Sequence, residues 1–218
     1  MRWAAVLATM VIGVSGLGEG FGAGYSGVAC LFWDLTELNA ALDAAGYPTL
    51  EGFLVLYGGM GVGGADLRFG GGGFGGSRSA SAGEKRAELS LGLGGASWEI
   101  VVLEGGGFSA TVGSFFGGGG AELRLRSRAY GSLGDALAGP ADLFLSRGFF
   151  LFLPFVSVEF WSLDWLGVRV TAGNLLTFPG PWRADGIELP GPPETLGGPF
   201  FSVLVAFGGR GSPGAQGD

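Results

Sequence analysis

The chain has 218 residues, 48 of them glycine, and carries a net charge of −7 with no histidine. The acidic balance argues against nucleic acid as a partner, because phosphate binding needs clustered cations to displace counterions. Without histidine, Ser-His-Asp and Cys-His nucleophile systems and the usual zinc ligands are excluded.

The length suits one β-domain with a real core. Cys30 stands alone, so no intramolecular disulfide framework exists. Lys85 is the single lysine among 12 basic residues, a skew that compositional bias explains as well as function does.

Met1-Arg2, the apolar run Trp3–Val14 and the small residues Val14-Ser15-Gly16 read as a secretory signal over residues 1–16. The run is too short for a spanning helix, which needs about 20 residues. Residues 17–208 are expected to form a single β-rich domain and 209–218 a disordered tail. Gly27-Val28-Ala29-Cys30 lacks the leucine of a lipoprotein box, so a small buried thiol is expected at Cys30.

After a glycine-rich first strand near Gly18–Phe32, residues 34–46 predict an amphipathic helix. Asp34 and Glu37 make a capping box, Leu35, Leu38, Leu42 and Ala45 share a face, and Gly46 with Pro48 ends it. The apolar stripe should pack on a sheet. Strands are then expected at Phe53–Tyr57, Trp98–Glu104, Phe108–Phe116, Arg147–Phe160, Leu166–Ala172 and Phe200–Phe207.

A five-residue phrase, Ala-acid-Leu-any-Leu/Phe, appears at Ala65–Phe69, Ala87–Leu91, Ala121–Leu125 and Ala141–Leu145. In the first three, alternation predicts a wet face holding the acid and a leucine face in the core. Glycine runs at Gly70–Gly73, Gly105–Gly107 and Gly117–Gly120 are expected between the strands, where they let a curved sheet bend. A hairpin around Ser162–Trp165 would set Glu159 opposite Arg169 on the polar face. Residues 132–139 predict a second short helix, and Phe178–Pro199 reads as a long irregular segment.

Candidate chemistry is thin. Gly59-Met-Gly-Val-Gly-Gly64 imitates a dinucleotide fingerprint, but a strand pattern follows it where a helix is required. Glu88, Glu99, Glu122 and Glu159 lie in strands and would act as a catalytic pair only if two converged, so no catalytic, cofactor or metal residue is assigned. Arg124, Arg126 and Arg128 share a strand face that fits an anion or neighbouring glutamates. Trp33, Trp98, Trp161, Trp165 and Trp182 suit either an interfacial belt or the core.

These patterns predict an all-β fold, an antiparallel barrel-like sheet of about eight to ten strands with one or two short packed helices (34–46, 132–139). Leu38-Asn39, Leu42 and Gly46-Tyr47-Pro48, with Gly148-Phe-Phe, Pro154, Val158-Glu159, Gly198-Pro199-Phe and Phe207-Gly-Gly, resemble glycine-rich exported proteins of bacteria. That resemblance implies an envelope location and β-rich structure, and no activity.

The function expected is therefore that of an exported, non-enzymatic envelope barrel with a structural or surface role. Its partner would be the outer membrane or cell surface, with possible self-association and no cofactor. The alternative is a soluble secreted β-protein for adhesion, self-assembly or binding a small apolar ligand.

Overall fold

The computed structural model describes residues 20–127, 143–192 and 195–210. The signal at 1–16, the helix at 132–139, Arg128 and residues 211–218 of the tail lie outside them. Among the described residues the strands are β1 (Phe21–Leu31), β2 (Leu54–Gly64), β3 (Leu67–Ala82), β4 (Lys85–Gly105), β5 (Phe108–Arg126), β6 (Leu143–Leu163), β7 (Leu166–Pro179), β8 (Trp182–Ala184), β9 (Ile187–Leu189) and β10 (Gly198–Arg210). One helix, α1 (Thr36–Ala44), joins β1 to β2. All pairings are antiparallel.

The order β5-β4-β3-β2-β1-β10-β7-β6, with β5 also paired to β6, closes a barrel-like ring of eight strands. Following register partners from Trp161 through Gly167, Ala206, Tyr25, Met60, Gly72, Gly95 and Gly117 returns to β6 at Leu151, ten residues from the start. Eight strands with that stagger must tilt by about 40° to the axis and enclose a radius of about 8 Å. An interior so narrow is filled by side chains.

The strands are longer than expected. Gly70–Gly73 and Gly117–Gly120 lie inside β3 and β5, not between strands, and fuse short predicted segments into single long ones. Gly105–Gly107 does end a strand. Gly106 (φ 59°) and Gly107 (φ 79°) form a two-residue turn whose twist suits a hairpin only with both residues left-handed. Phe178–Pro199 is also more ordered than expected, since it holds the β8–β9 hairpin, turned at Asp185-Gly186.

The two ends of the ring differ. At one lie Phe21, Arg210 and the tight turns around Asp66, Gly106-Gly107 and Asp164-Trp165. The other carries the Gly83-Glu84 turn, the long connection 32–53 and, between Pro179 and Gly198, the segment that holds β8 and β9.

Helix α1 sits at the long-connection end. Leu38 and Leu42 are buried in one cluster with Leu31, Leu54, Leu89 and Leu125 from the strands, each leucine contributing about 1.5–3 kcal/mol. Its start differs from the expected capping box. Asp34 Oδ1 accepts from the Thr36 amide (2.9 Å) and the Thr36 hydroxyl (2.7 Å), and no side chain caps the first turn. The Thr36 hydroxyl, and then its amide, hold the Asp34 carboxyl below the usual range.

The end of the helix matches expectation. Tyr47 N–H donates to Leu42 O and Gly46 N–H to Asp43 O, with Gly46 at φ 70°. Asn39 then fixes the return of the chain by exchanging two hydrogen bonds with the Leu50 backbone (2.8 and 3.1 Å).

Candidate functional site: an inverted polarity

Alternation along each strand sorts side chains into an inner and an outer set; the outer set is mainly apolar, while the inner set is apolar near α1 and holds charged side chains towards the tight-turn end. On β6, Phe149, Leu151, Leu153, Phe155, Ser157 and Glu159 point inward. Phe150, Phe152, Val156, Val158 and Phe160 point outward and are exposed. On β7 the outward residues include Val168, Val170, Leu176 and Phe178, and on β10 Phe201, Val203, Val205 and Phe207.

The remaining strands present Gly22–Cys30, Val55–Gly63, Leu67–Ser77, Ser90–Val102 and Ala110–Gly120 on that surface. Among the described residues, none of the outward positions in these stretches is charged. Phe150 to Phe160 and Val168 to Phe178 each cover ten residue steps, about 25 Å along the axis at this tilt. Outward charges begin above the belt, at Arg86, Glu88, Glu122, Arg124 and Arg126.

Inside the ring, towards the tight-turn end, four charged side chains form one layer. Glu159 accepts from the Tyr25 hydroxyl (2.6 Å), Arg169 (2.9 Å), Ser109 (3.0 Å) and Arg68 (3.1 Å). Glu99 accepts from Arg169 through both carboxylate oxygens, at 3.0 Å on Oε1 and closer on Oε2, and from Thr111 at 3.0 Å. Thr111 and Ser157 share a hydrogen bond of 2.6 Å. The Arg68 guanidinium also covers the Phe21 ring, and Arg169 lies beside the rings of Tyr25 and Phe155.

Arg68, Glu99, Glu159 and Arg169 are each at most 1% exposed. Two guanidiniums and two carboxylates sum to zero charge, which makes so deep a burial tolerable.

Of the four strand glutamates, Glu99 and Glu159 thus come together across Arg169, while Glu88 and Glu122 stay on the outer surface. The Glu159–Arg169 pairing expected across the hairpin is present. It is buried rather than exposed, because the polar face of this hairpin is the inner one. The same inversion affects Ala65–Phe69, where Arg68 points inward and Phe69 outward. Ala87–Leu91 and Ala121–Leu125 keep their leucines inside, as expected.

Both inner carboxylates are engaged by arginine, and the space next to them is a cavity of about 30 Å³ lined by Arg169, Thr171, Ser202 and apolar side chains. That is room for about two waters.

The glycine fingerprint at Gly59–Gly64 lies within β2 and leads through a tight turn into β3, so no helix N-terminus faces it. Trp33 and Trp182 are buried, whereas Trp98 and Trp165 face outward. Arg124 and Arg126 share an outer face. Cys30 is half-buried on the outer surface instead of in the core. Asp185-Gly186, both left-handed, turns the β8–β9 hairpin, and the Asp-Gly pair is the sequence signal for it.

A scan against protein-family models finds no family that matches this chain, and a comparison with curated proteins finds no match. What can be said of its class comes from the ring itself: eight antiparallel strands, apolar outside, with one paired layer of charged side chains set in an otherwise apolar interior.

Proposed function

We propose that this protein is an exported, non-enzymatic β-barrel of the cell envelope, seated in the outer membrane with a structural or surface role. The observation that carries the reading is the uncharged outer belt of about 25 Å, the height of a bilayer's apolar zone, around a ring that buries a neutral layer of four charged side chains. Water would favour the opposite arrangement, since exposed apolar area costs about 25 cal/mol per Å² and buried charge must be fully paired. Short turns at one end and longer connections at the other fit a barrel inserted with the tight-turn end, where β1 starts and β10 ends, on the periplasmic side. Ring closure leaves the eight strands without a long free edge, so backbone groups inside the bilayer are satisfied.

The filled interior supports a non-conducting wall rather than a pore. Fractionation of the native envelope tests the proposal. The chain should partition with outer membranes and run faster on gels when left unheated. Recovery as a soluble monomer without detergent would overturn it in favour of the secreted, soluble alternative.

A further inference from the structure

The chain holds two asparagines, and they are used in opposite ways. Asn39 spends its carboxamide on the Leu50 backbone. Asn174 lies on the outer face of β7, exposed among the belt residues, and its carboxamide makes no hydrogen bond among the described residues. Phe178, at the upper edge of the belt, is four steps away along the strand and Val168 six. At this tilt Asn174 is therefore about 10 Å inside the nearer edge. A carboxamide on a single methylene cannot reach the headgroups from there, as a lysine or arginine would.

The neighbouring strands offer it nothing. Its register partner on β10 is Pro199. On β6 the pairs to either side, Phe152 with Leu176 and Phe155 with Gly173, set Pro154 opposite it. Proline has no N–H to give. One strand further on, Ser114 is the partner of Pro154, and its buried hydroxyl has no hydrogen bond either. Phe152, Leu176 and Phe201, all exposed, stand around the amide on the outer surface.

Acyl chains supply no donor or acceptor at that depth, and an unmet amide in hydrocarbon is costly. The missing partner must come from another polypeptide. Two copies inserted in the same sense close into a pair about a twofold axis along the membrane normal, and that axis brings residues of equal depth together. A carboxamide is donor and acceptor at once, so two of them facing each other exchange two N–H···O bonds. A partner of different sequence would need its own polar group at the matching depth. A second copy has one by symmetry.

We propose that a second copy of this chain docks on the outer face of β6, β7 and β10, with Asn174 paired to Asn174 of that copy and Phe152, Leu176 and Phe201 packed around the pair. The pairing rests on the membrane reading above.

Sedimentation equilibrium of the full chain in density-matched detergent, with disulfide trapping in vesicles, tests it. Wild type should show a monomer–dimer equilibrium. Asn174→Leu should weaken the dimer about tenfold and keep the fast-migrating unheated gel form. In a Cys30→Ser background, Asn174→Cys should oxidise to a linked dimer. Gly61→Cys, on the outer face of β2 with open space for a side chain, should not. Wild type that stays monomeric, an Asn174→Leu dimer as tight as wild type, or equal trapping at Gly61 would each overturn the proposal. So would loss of the unheated fast form in Asn174→Leu, because the amide would then serve the barrel and not the pair. Recovery of wild type without detergent removes the membrane reading, whereas a detergent-dependent monomer removes only the pair.

Discussion

Glu159 is the residue on which the inner layer turns, because four donors from β1, β3, β5 and β7 converge on its two oxygens. Removing its charge would leave Arg68 without a carboxylate partner and Arg169 with Glu99 alone, a net positive charge in the interior. Glu159→Gln is therefore expected to cost about 3–5 kcal/mol. Glu88→Gln, on the solvated rim, should cost under about 0.5 kcal/mol. Urea unfolding of both variants in lipid vesicles checks the contrast, and equal midpoints would show that the layer carries no stability. The pairing of Glu159 with Arg169 was readable from hairpin spacing. Its burial was not, since alternation tells two faces apart without saying which one meets water.

At the scale of elements, the glycine runs show why strand boundaries were misread. A run of glycines has no side-chain period and resembles a break. In the ring, Gly95 and Gly117 are register partners, and a Cβ on either would press into the facing backbone. Close approach of β4 and β5 at this point is what their absence of side chains permits.

Gly117→Ala should thus destabilise by about 1–3 kcal/mol through overpacking. Gly22→Ala, which would meet nothing within 4 Å, should stay within about 0.5 kcal/mol or gain slightly from a stiffer unfolded chain. Heat-induced loss of the fast-migrating gel form measures both, and a fall at Gly22 equal to that at Gly117 would contradict the close-approach account. Helix α1 was the clearest element in the sequence because periodicity, Gly46 and Pro48 agree there. Its N-terminal detail shifted because Asp34 bonds Thr36 instead of reaching the following turn.

For the whole molecule, the decisive property is which solvent the outer surface meets, and one substitution separates the cases. Val203 lies mid-belt on β10 and is 52% exposed. Facing lipid, Val203→Arg should cost about 2–4 kcal/mol; facing water, it would fall within about 0.5 kcal/mol. Unfolding equilibria of wild type and variant in vesicles give the answer, and a negligible difference would remove the membrane reading.

Local pattern alone was enough for an all-β antiparallel architecture with a packed helix near its start, because two-residue alternation and helix punctuation are written in neighbouring positions. Closure into a ring, the ten-residue stagger and the convergence of Arg68, Glu99, Glu159 and Arg169 required the assembled strands. These four come from β3, β4, β6 and β7, and nothing short-range links them. Which face became the inside was likewise fixed by closure, since curling the sheet one way or the other exchanges core for surface at every position.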